Sequence, residues 1–363
     1  MKVLVLGGTG AMGVALVDIL TRRGDEVYVT SRSSHQDREH LHYLQGDAHD
    51  LEWLNAISVG QDYDALVDFM VYSSAEFAAR RDRMLQLAKQ YVFLSSSRVY
   101  NDSPVKPITE ETPRLLDSCQ DDTYLKTDEY ALAKAREENE LRKAEQKNWT
   151  IIRPYITYND ERLQLGTLEK ESWLYRALHG RTIVFTKDVA ECLTTLTHGY
   201  DVADGIASLL GKKAAYGEAF HIVGPEPMRW KEVAELYCDV LEKLLGRRPR
   251  ILLLPDSQEF RRVFRNEYQV RYDRLFHRVF DSSKIRRIGG KSDYVPMSEG
   301  LRTCLTHFVE QHRSFRTIDW HAEAWMDRQT GERAALSECK GWKNKVKYIL
   351  CRYTPFLHYY YGI

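Results

Sequence analysis

Directly after a short apolar run at residues 3–6 the chain reads Gly7-Gly8-Thr9-Gly10-Ala11-Met12-Gly13, and an apolar helix face follows at Val14, Leu16, Val17 and Leu20. This order of strand, glycine turn and helix constrains the fold more than any other feature. Glycine lets the backbone turn sharply, approach an anion closely and pack helix on strand, while the helix N-terminus offers unpaired N–H groups. In that context Gly7, Thr9, Gly10, Ala11, Met12 and Gly13 are candidates for holding the pyrophosphate of a dinucleotide; out of it the run is only a structural turn.

The pattern repeats in kind. Apolar runs at residues 3–6, 27–30, 65–69 and 91–94 read as buried strands, and residues 12–23, 51–57 and 74–90 carry helical spacing between them. Successive units of this sort make a parallel sheet with both faces covered. A loop at residues 101–122 precedes a long charged helix from about 124 to 146, and a further strand at 150–153 exits at Pro154. Beyond it the order is less regular, with helices expected near 171–179, 202–210, 230–245 and 298–311. The expected fold is therefore α/β, a Rossmann-type doubly wound parallel sheet with a smaller C-terminal α+β substrate lobe. The boundaries expected are 1–155 for the dinucleotide domain, 156–330 for a substrate lobe partly woven back into it, and 331–363 for a C-terminal extension. That extension mixes Lys343, Lys345, Lys347 and Arg352 with Tyr348, Tyr353, Phe356 and Tyr359 to Tyr361. Such a segment can lie on a membrane, but packing on the body or on a second subunit is the expected use.

With 363 residues the chain can bury a large core, and its 52 basic and 52 acidic residues cancel. No global field draws it to nucleic acid or to an anionic membrane, so any anion must be recognised locally. The cysteines are scattered without a CxxC pair and no cleavable signal precedes the first strand, which points to the reducing cytoplasm. No apolar run approaches the roughly 20 residues that span a bilayer, and no His, Cys and carboxylate cluster has metal-ligand spacing. Neither stable membrane insertion nor a metal is expected.

The second strand ends in Thr30-Ser31-Arg32-Ser33-Ser34, where a carboxylate would hold the ribose 2′-hydroxyl of NAD. None is there; Ser31 and Arg32 suit the 2′-phosphate of NADP, which is the preferred cofactor over NAD, although an exposed Arg in a loop is often only solvated. Asp47 either bonds the adenine amine or caps a helix. Phe69, ending its apolar run, joins the cofactor set.

Tyr130-Ala131-Leu132-Ala133-Lys134 sets a phenol and an ammonium one helical turn apart on one face. A nearby cation favours the phenolate, which suits proton exchange with a substrate hydroxyl. The run Phe93-Leu94-Ser95-Ser96-Ser97-Arg98-Val99-Tyr100 leaves a strand at the carboxyl edge of the sheet, where doubly wound folds bind ligands.

With the glycine loop, Ser-x-x-Val-Tyr, Tyr-x-x-x-Lys, Arg153-Pro154 and the His-x-x-Asp-like run His198 to Ala203, residues 1 to about 310 resemble the extended short-chain dehydrogenase/reductase superfamily. Within it the resemblance is to the NAD-dependent epimerase/dehydratase group, which works mostly on nucleotide sugars. The resemblance implies Ser96 as the catalytic Ser or Thr, with Ser95 and Ser97 as fallbacks. It implies Tyr130 as the acid/base and Lys134 as the residue that holds the nicotinamide ribose. Ser96, Ser97, Tyr155, Arg162 and Arg176 are the candidate substrate contacts, and a homodimer is implied.

The sequence also departs from that pattern. Dehydratases carry an acidic pair where Ser97-Arg98 stand, so dehydration is not expected. The Arg that commonly grips the diphosphate is replaced by Thr194-Thr195-Leu196, leaving Arg162, Arg176 and Arg181 as substitutes. His198 and Asp201 are read as structural, and the run Asp281 to Lys284 either lines the sugar-nucleotide side or is a solvated charge run. The expected activity is C4 epimerisation or 4-keto reduction of a nucleotide sugar. The alternatives are an NADP-dependent reductase of a non-sugar carbonyl and a non-catalytic RNA-binding or NADP-sensing relative.

Overall fold

A computed structural model describes residues 1–354. Its central sheet has seven strands: β1 (Lys2–Leu6), β2 (Glu26–Ser31), β3 (Leu41–Gln45), β4 (Tyr63–Asp68), β5 (Ala88–Leu94), β6 (Trp149–Pro154) and β7 (Glu218–Ile222). They lie in the order β7-β6-β5-β4-β1-β2-β3, every neighbouring pair parallel. The chain winds outward from β1 to β3, then returns to the other side of β1 with β4. The carboxyl ends of β1 and β4 therefore flank the switch point where such sheets bind ligands.

Strand alternation sorts the two faces. Val3 and Val5 meet Leu16 and Leu20 of α1 (Ala11–Arg22) and Val202 and Ile206 of α5 (Gly199–Leu209). Leu4 and Leu6 point the other way, into a core with Leu54 of α2 (Leu51–Ile57), Phe77 and Met84 of α3 (Ser74–Gln86) and Leu141 of α4 (Tyr130–Lys143). Because both faces are covered, Val3 to Leu6 are all wholly buried, and each such side chain stabilises the fold by about 1.5–3 kcal/mol.

The chain divides into two compact units that alternate along the sequence. The first, holding the sheet, comprises Met1–Thr157, Thr195–Glu226 and Val279–Met297; the second comprises Tyr158–Thr194, Pro227–Arg278 and the chain from Ser298 on. In the second unit Ile183–Thr186 pairs in parallel with Ile251–Leu254. The helices of this unit include α6 (Trp230–Leu245), α7 (Met297–Glu310, from Ser298 on), α8 (Trp320–Thr330), which packs on Ile183–Thr186, and α9 (Trp342–Tyr353), which packs on α8. α9 buries Tyr348 and Cys351 in a cluster with Trp320 and Ala324 of α8, so the basic-aromatic segment packs on its own unit. Phe356 and Tyr359 to Tyr361 lie outside the described residues.

Two of the elements read from the sequence have other bounds, and β7 and α8 were not among those read. The helix read over 74–90 stops at Gln86, and β5 begins at Ala88. Lys89 and Gln90 disguised the strand, but the buried Gln90 amide donates to Thr150 Oγ1 and to the Leu209 carbonyl, which satisfies a polar side chain inside the sheet. The helix read over 124–146 is two pieces, Asp122–Leu125 and α4. Glu129 interrupts it by accepting from the amide of Ala131, which caps α4 and makes Tyr130 its first residue.

The interior of the second unit turns on Arg176, which is fully buried. Its guanidinium donates to Glu323 at 3.0 Å, Asp327 at 2.8 Å, Glu332 at 3.1 Å and the Thr182 carbonyl at 2.8 Å. Arg181 adds an ion pair to Glu338 at 3.0 Å. Burial still pushes the Glu323 carboxyl up to about 7, against the pull of both arginines. Removing the cation leaves buried acids without a counter-charge, which typically costs about 3–5 kcal/mol. Arg176→Met is expected to lose about that much in urea unfolding, whereas Arg162→Met, at an exposed pair, should lose less than about 1 kcal/mol.

Candidate active site

The glycine loop separates two kinds of constraint. A Cβ on Gly8 would meet Val5 and Val29 at 2.9 Å, one on Gly13 would meet the Gly8 backbone at 2.6 Å, and Gly7 sits at φ +70°. These three are demanded by the protein itself. Gly10 is not, because its Cβ would find only the Gly7 carbonyl, at 3.8 Å. That open space lies at the N-cap of α1, which has no side-chain cap and no acid in its first turn. Among the described residues the amides of Met12 and Gly13 have no partner. An exposed, uncapped, acid-free helix start next to a glycine that its own fold does not require fits a pyrophosphate.

Around this start stand the other candidate cofactor residues. Ser31, buried at the end of β2, contacts His35 at 3.0 Å, and the His35 ring stacks on Tyr43 at 4.6 Å. Arg32 is exposed and has no acidic partner among the described residues. Asp47 is exposed and accepts from the His49 amide, while the adjoining helix is capped by Asp50 instead. Phe69 follows β4, half-buried, beside Gly7. A cavity of about 370 Å³ reaches from Gly8 and Thr9 to His35, Arg38 and Tyr43.

The three serines after β5 have different fates. Ser95 donates to Glu138 at 2.6 Å and Ser97 to the Arg153 carbonyl at 2.9 Å, both inside the protein. Ser96 accepts from the Arg98 amide at 3.1 Å, and among the described residues its hydroxyl donates to nothing. Only the Ser96 proton is left uncommitted.

Tyr130 opens α4 with 37 % of its surface exposed, and the Arg98 guanidinium lies 5.3 Å from its ring centroid. Arg98 is itself anchored by Glu129 at 2.7 Å. One turn on, Lys134 is buried, 4.6 Å from the Phe93 ring centroid, and its ammonium donates to Glu137 at 2.9 Å. The far oxygen of Glu137 is buried without a partner. Burial raises the Glu137 carboxyl to about 7; Lys134 opposes this, while Asp68 and Asp128 add to it. Asp68, at the end of β4, accepts from Tyr91 at 2.9 Å and from Tyr72 and is also raised by burial. Lys134 thus faces two buried carboxyls, Glu137 on its own helix and Asp68 on the sheet.

The next residue, Glu138, behaves oppositely. Its two oxygens accept from Arg153 at 2.8 and 2.6 Å, and from Ser95 and Arg114 as well. Burial works against its charge, but Arg153, Ser95 and Arg114 together outweigh burial and hold the carboxyl below the usual range. Arg153 also donates to the Tyr100 hydroxyl, which donates to His221 Nε2 at 2.6 Å, and His221 Nδ1 donates to the Asp281 carbonyl. Burial pushes His221 down to about 3, so it serves as a neutral link.

Sequence reasoning missed Glu137, Glu138, Asp68 and the role of Arg98. Their signal was present: Lys134, Glu137 and Glu138 fall among Ala131, Ala135 and Leu141, at the spacing of a buried face. Tyr155 is buried against Phe280, with ring centroids 5.0 Å apart. In the second unit Arg162 is exposed and pairs with Glu169 at 3.4 Å, whereas Arg176 spends its guanidinium internally. His198 caps α5, Asp201 pairs with Lys291 at 3.1 Å, Asp281 accepts from the Ser283 amide, and Lys284 pairs with Glu218.

The model of the NAD dependent epimerase/dehydratase family matches residues 3–223. The chain belongs to that family. Its sequence is 24% identical over 250 residues to the chloroplast stem-loop binding protein of 41 kDa b of Arabidopsis thaliana, covering 64% of this chain and 61% of that one. It is 26% identical over 243 residues to the 2′-dehydrokanamycin reductase of Streptomyces kanamyceticus, covering 65% of each. The chain thus spans under two thirds of the length of these curated relatives. The crystal structure of dTDP-glucose 4,6-dehydratase from Bacillus anthracis, in complex with NAD, shares the fold with a TM-score of 0.66 at 18% identity, over 88% of this chain and all of that one.

Glu137 offers a direct check of the buried charges. A carboxyl raised in the native state keeps its proton where the unfolded chain has lost it, so it costs stability as pH rises from about 4.5 to about 7. Glu137→Gln has no such loss. In denaturant titrations its stability relative to the parent should rise by up to ~3 kcal/mol between acid and pH 8; parallel pH profiles would show that Glu137 does not titrate in this window.

Proposed function

We propose that this protein uses a nicotinamide dinucleotide to move a hydride to or from a hydroxyl-bearing sugar carbon, acting on a nucleotide sugar as a C4 epimerase or a 4-keto reductase. The observation that carries the reading is the set of groups about the start of α4: an exposed phenol at Tyr130, the buried ammonium of Lys134, and the uncommitted hydroxyl of Ser96.

The pyrophosphate would be held by the amides of Ala11, Met12 and Gly13, with Gly7, Thr9 and Gly10 giving it room, and the adenosine by Ser31, Arg32, Asp47 and Phe69. Absence of an acid at the end of β2, together with an exposed Arg32 that has no acidic partner among the described residues, supports NADP over NAD. When bound, the nicotinamide accepts or returns the hydride. Tyr130 takes the proton from the substrate hydroxyl, or returns it to the carbonyl oxygen, while Ser96 donates to that oxygen. Lys134 would bond the nicotinamide ribose, and the Arg98 guanidinium, 5.3 Å from the Tyr130 ring centroid, helps to hold the phenol in place. Of the other substrate candidates, Tyr155 and Arg162 remain, whereas Ser97 is wholly buried with its hydroxyl on the Arg153 carbonyl. Arg176 is the weakest of the substrate candidates, because its donors already serve four internal acceptors.

That commitment, with Thr194-Thr195-Leu196 where a diphosphate-gripping Arg is common, favours one second reading. It is an NADP-dependent reductase of a ketone carried on no nucleotide, consistent with the similarity to 2′-dehydrokanamycin reductase. We further propose a cytoplasmic homodimer.

Tyr130→Phe is expected to lower kcat by about 10³-fold or more while dinucleotide affinity stays within about threefold; undiminished turnover would refute the assignment. Arg32→Glu should lower the ratio of NADPH to NADH affinity by about tenfold or more, and an unchanged ratio would remove Arg32 from the cofactor site.

A further inference from the structure

α9 has two apolar faces. Tyr348 and Cys351 hold it to its own unit, and Tyr348 donates to the buried Asp327 at 2.6 Å. On the opposite side Trp342, Val346, Ile349 and Tyr353 recur at i, i+4, i+7 and i+11 and are 70, 44, 39 and 58 % exposed. A stripe of large apolar side chains at helical spacing, left in water, is unusual on a lone surface. The helix Trp-Lys-Asn-Lys-Val-Lys-Tyr-Ile-Leu-Cys-Arg-Tyr contains no acid. Lys347 is taken by Asp319 and Arg352 by the Glu332 carbonyl, but among the described residues Lys340, Lys343 and Lys345 have no acidic partner. On the helical wheel Lys343 and Lys345 flank the stripe, one on each side. The ten residues that follow, Thr-Pro-Phe-Leu-His-Tyr-Tyr-Tyr-Gly-Ile, also carry no acid.

We propose that this face of α9 lies on an anionic lipid surface, its apolar stripe among the acyl chains and Lys340, Lys343 and Lys345 on the headgroups. Trp and Tyr at the two ends of the stripe suit the polar–apolar boundary, and lysines beside it snorkel to phosphate. Charge decides between this occupant and a second copy of the chain: a two-fold contact through the stripe sets each copy's lysines against its partner's, which is repulsive. No helix of the described residues is long and apolar enough to cross a membrane, so contact is confined to the interface and is reversible.

The test is flotation of the full chain with phosphatidylcholine vesicles that either lack or contain about one third phosphatidylglycerol, at low and high salt. The parent should float with the anionic vesicles only, and high salt should release it. Trp342→Ala/Ile349→Ala and Lys343→Glu/Lys345→Glu alter exposed side chains and should each weaken binding by about tenfold or more with unfolding midpoints unchanged. Absence of flotation, or flotation that both double variants retain, overturns the proposal. So does a parent that ignores vesicles but forms dimers in sedimentation that Trp342→Ala/Ile349→Ala abolishes, since the stripe then belongs to a second copy.

Discussion

A buried arginine held by a buried glutamate joins the parts on which the site depends. Arg153 lies at the end of β6 and Glu138 in the middle of α4, and their two hydrogen bonds fix the helix that carries Tyr130 and Lys134 to the carboxyl edge of the sheet. Ser95, Arg114, Tyr100 and the Glu110 carbonyl complete the donors and acceptors of the pair, and His221 holds Tyr100. A charged pair taken out of water is favourable only when its remaining lone pairs and protons are satisfied in this way. The same network consumes Ser95, and the Arg153 carbonyl consumes Ser97, so the scaffold that orients α4 also leaves Ser96 as the serine with a proton to give.

Glu137 and Glu138 are neighbours on one helix and are both buried, yet their environments drive them apart. Glu138 meets two guanidinium groups and stays ionised. Glu137 meets one ammonium, with Asp68 and Asp128 on the other side, and is raised to about 7. Groups pushed apart in this manner are common where proton chemistry is done, although structural networks do it too. Here the consequence falls on Lys134, whose partner in the protein changes charge near neutrality.

The fold was legible because its signal is local and repeated: apolar runs bounded by turns, and a glycine loop between strand and helix. β5 was read three residues short, since Lys89 and Gln90 imitate a helix surface until Thr150 and Leu209 are known to lie beside them. The start of α4 was read about six residues early for a similar reason: nothing in a charged stretch announces that the Glu129 carboxylate will cap a new helix at Tyr130. At the site, Tyr130, Lys134 and the serines stood out by spacing. What they depend on did not, because Asp68 comes to Lys134, and Arg153 to Glu138, only after the chain has crossed the sheet. Arg176 shows the converse, a lone arginine with a plausible outward role whose carboxylate partners arrive about 150 residues later.

The measurement that bears most directly on the central claim is titration of the purified protein, emptied of any released dinucleotide, with NADPH and with NADH, followed by nicotinamide fluorescence. The account predicts saturable binding of one molecule per chain, with NADPH preferred. If neither dinucleotide binds, the glycine loop is a structural turn and the hydride chemistry assigned to Tyr130 has no partner.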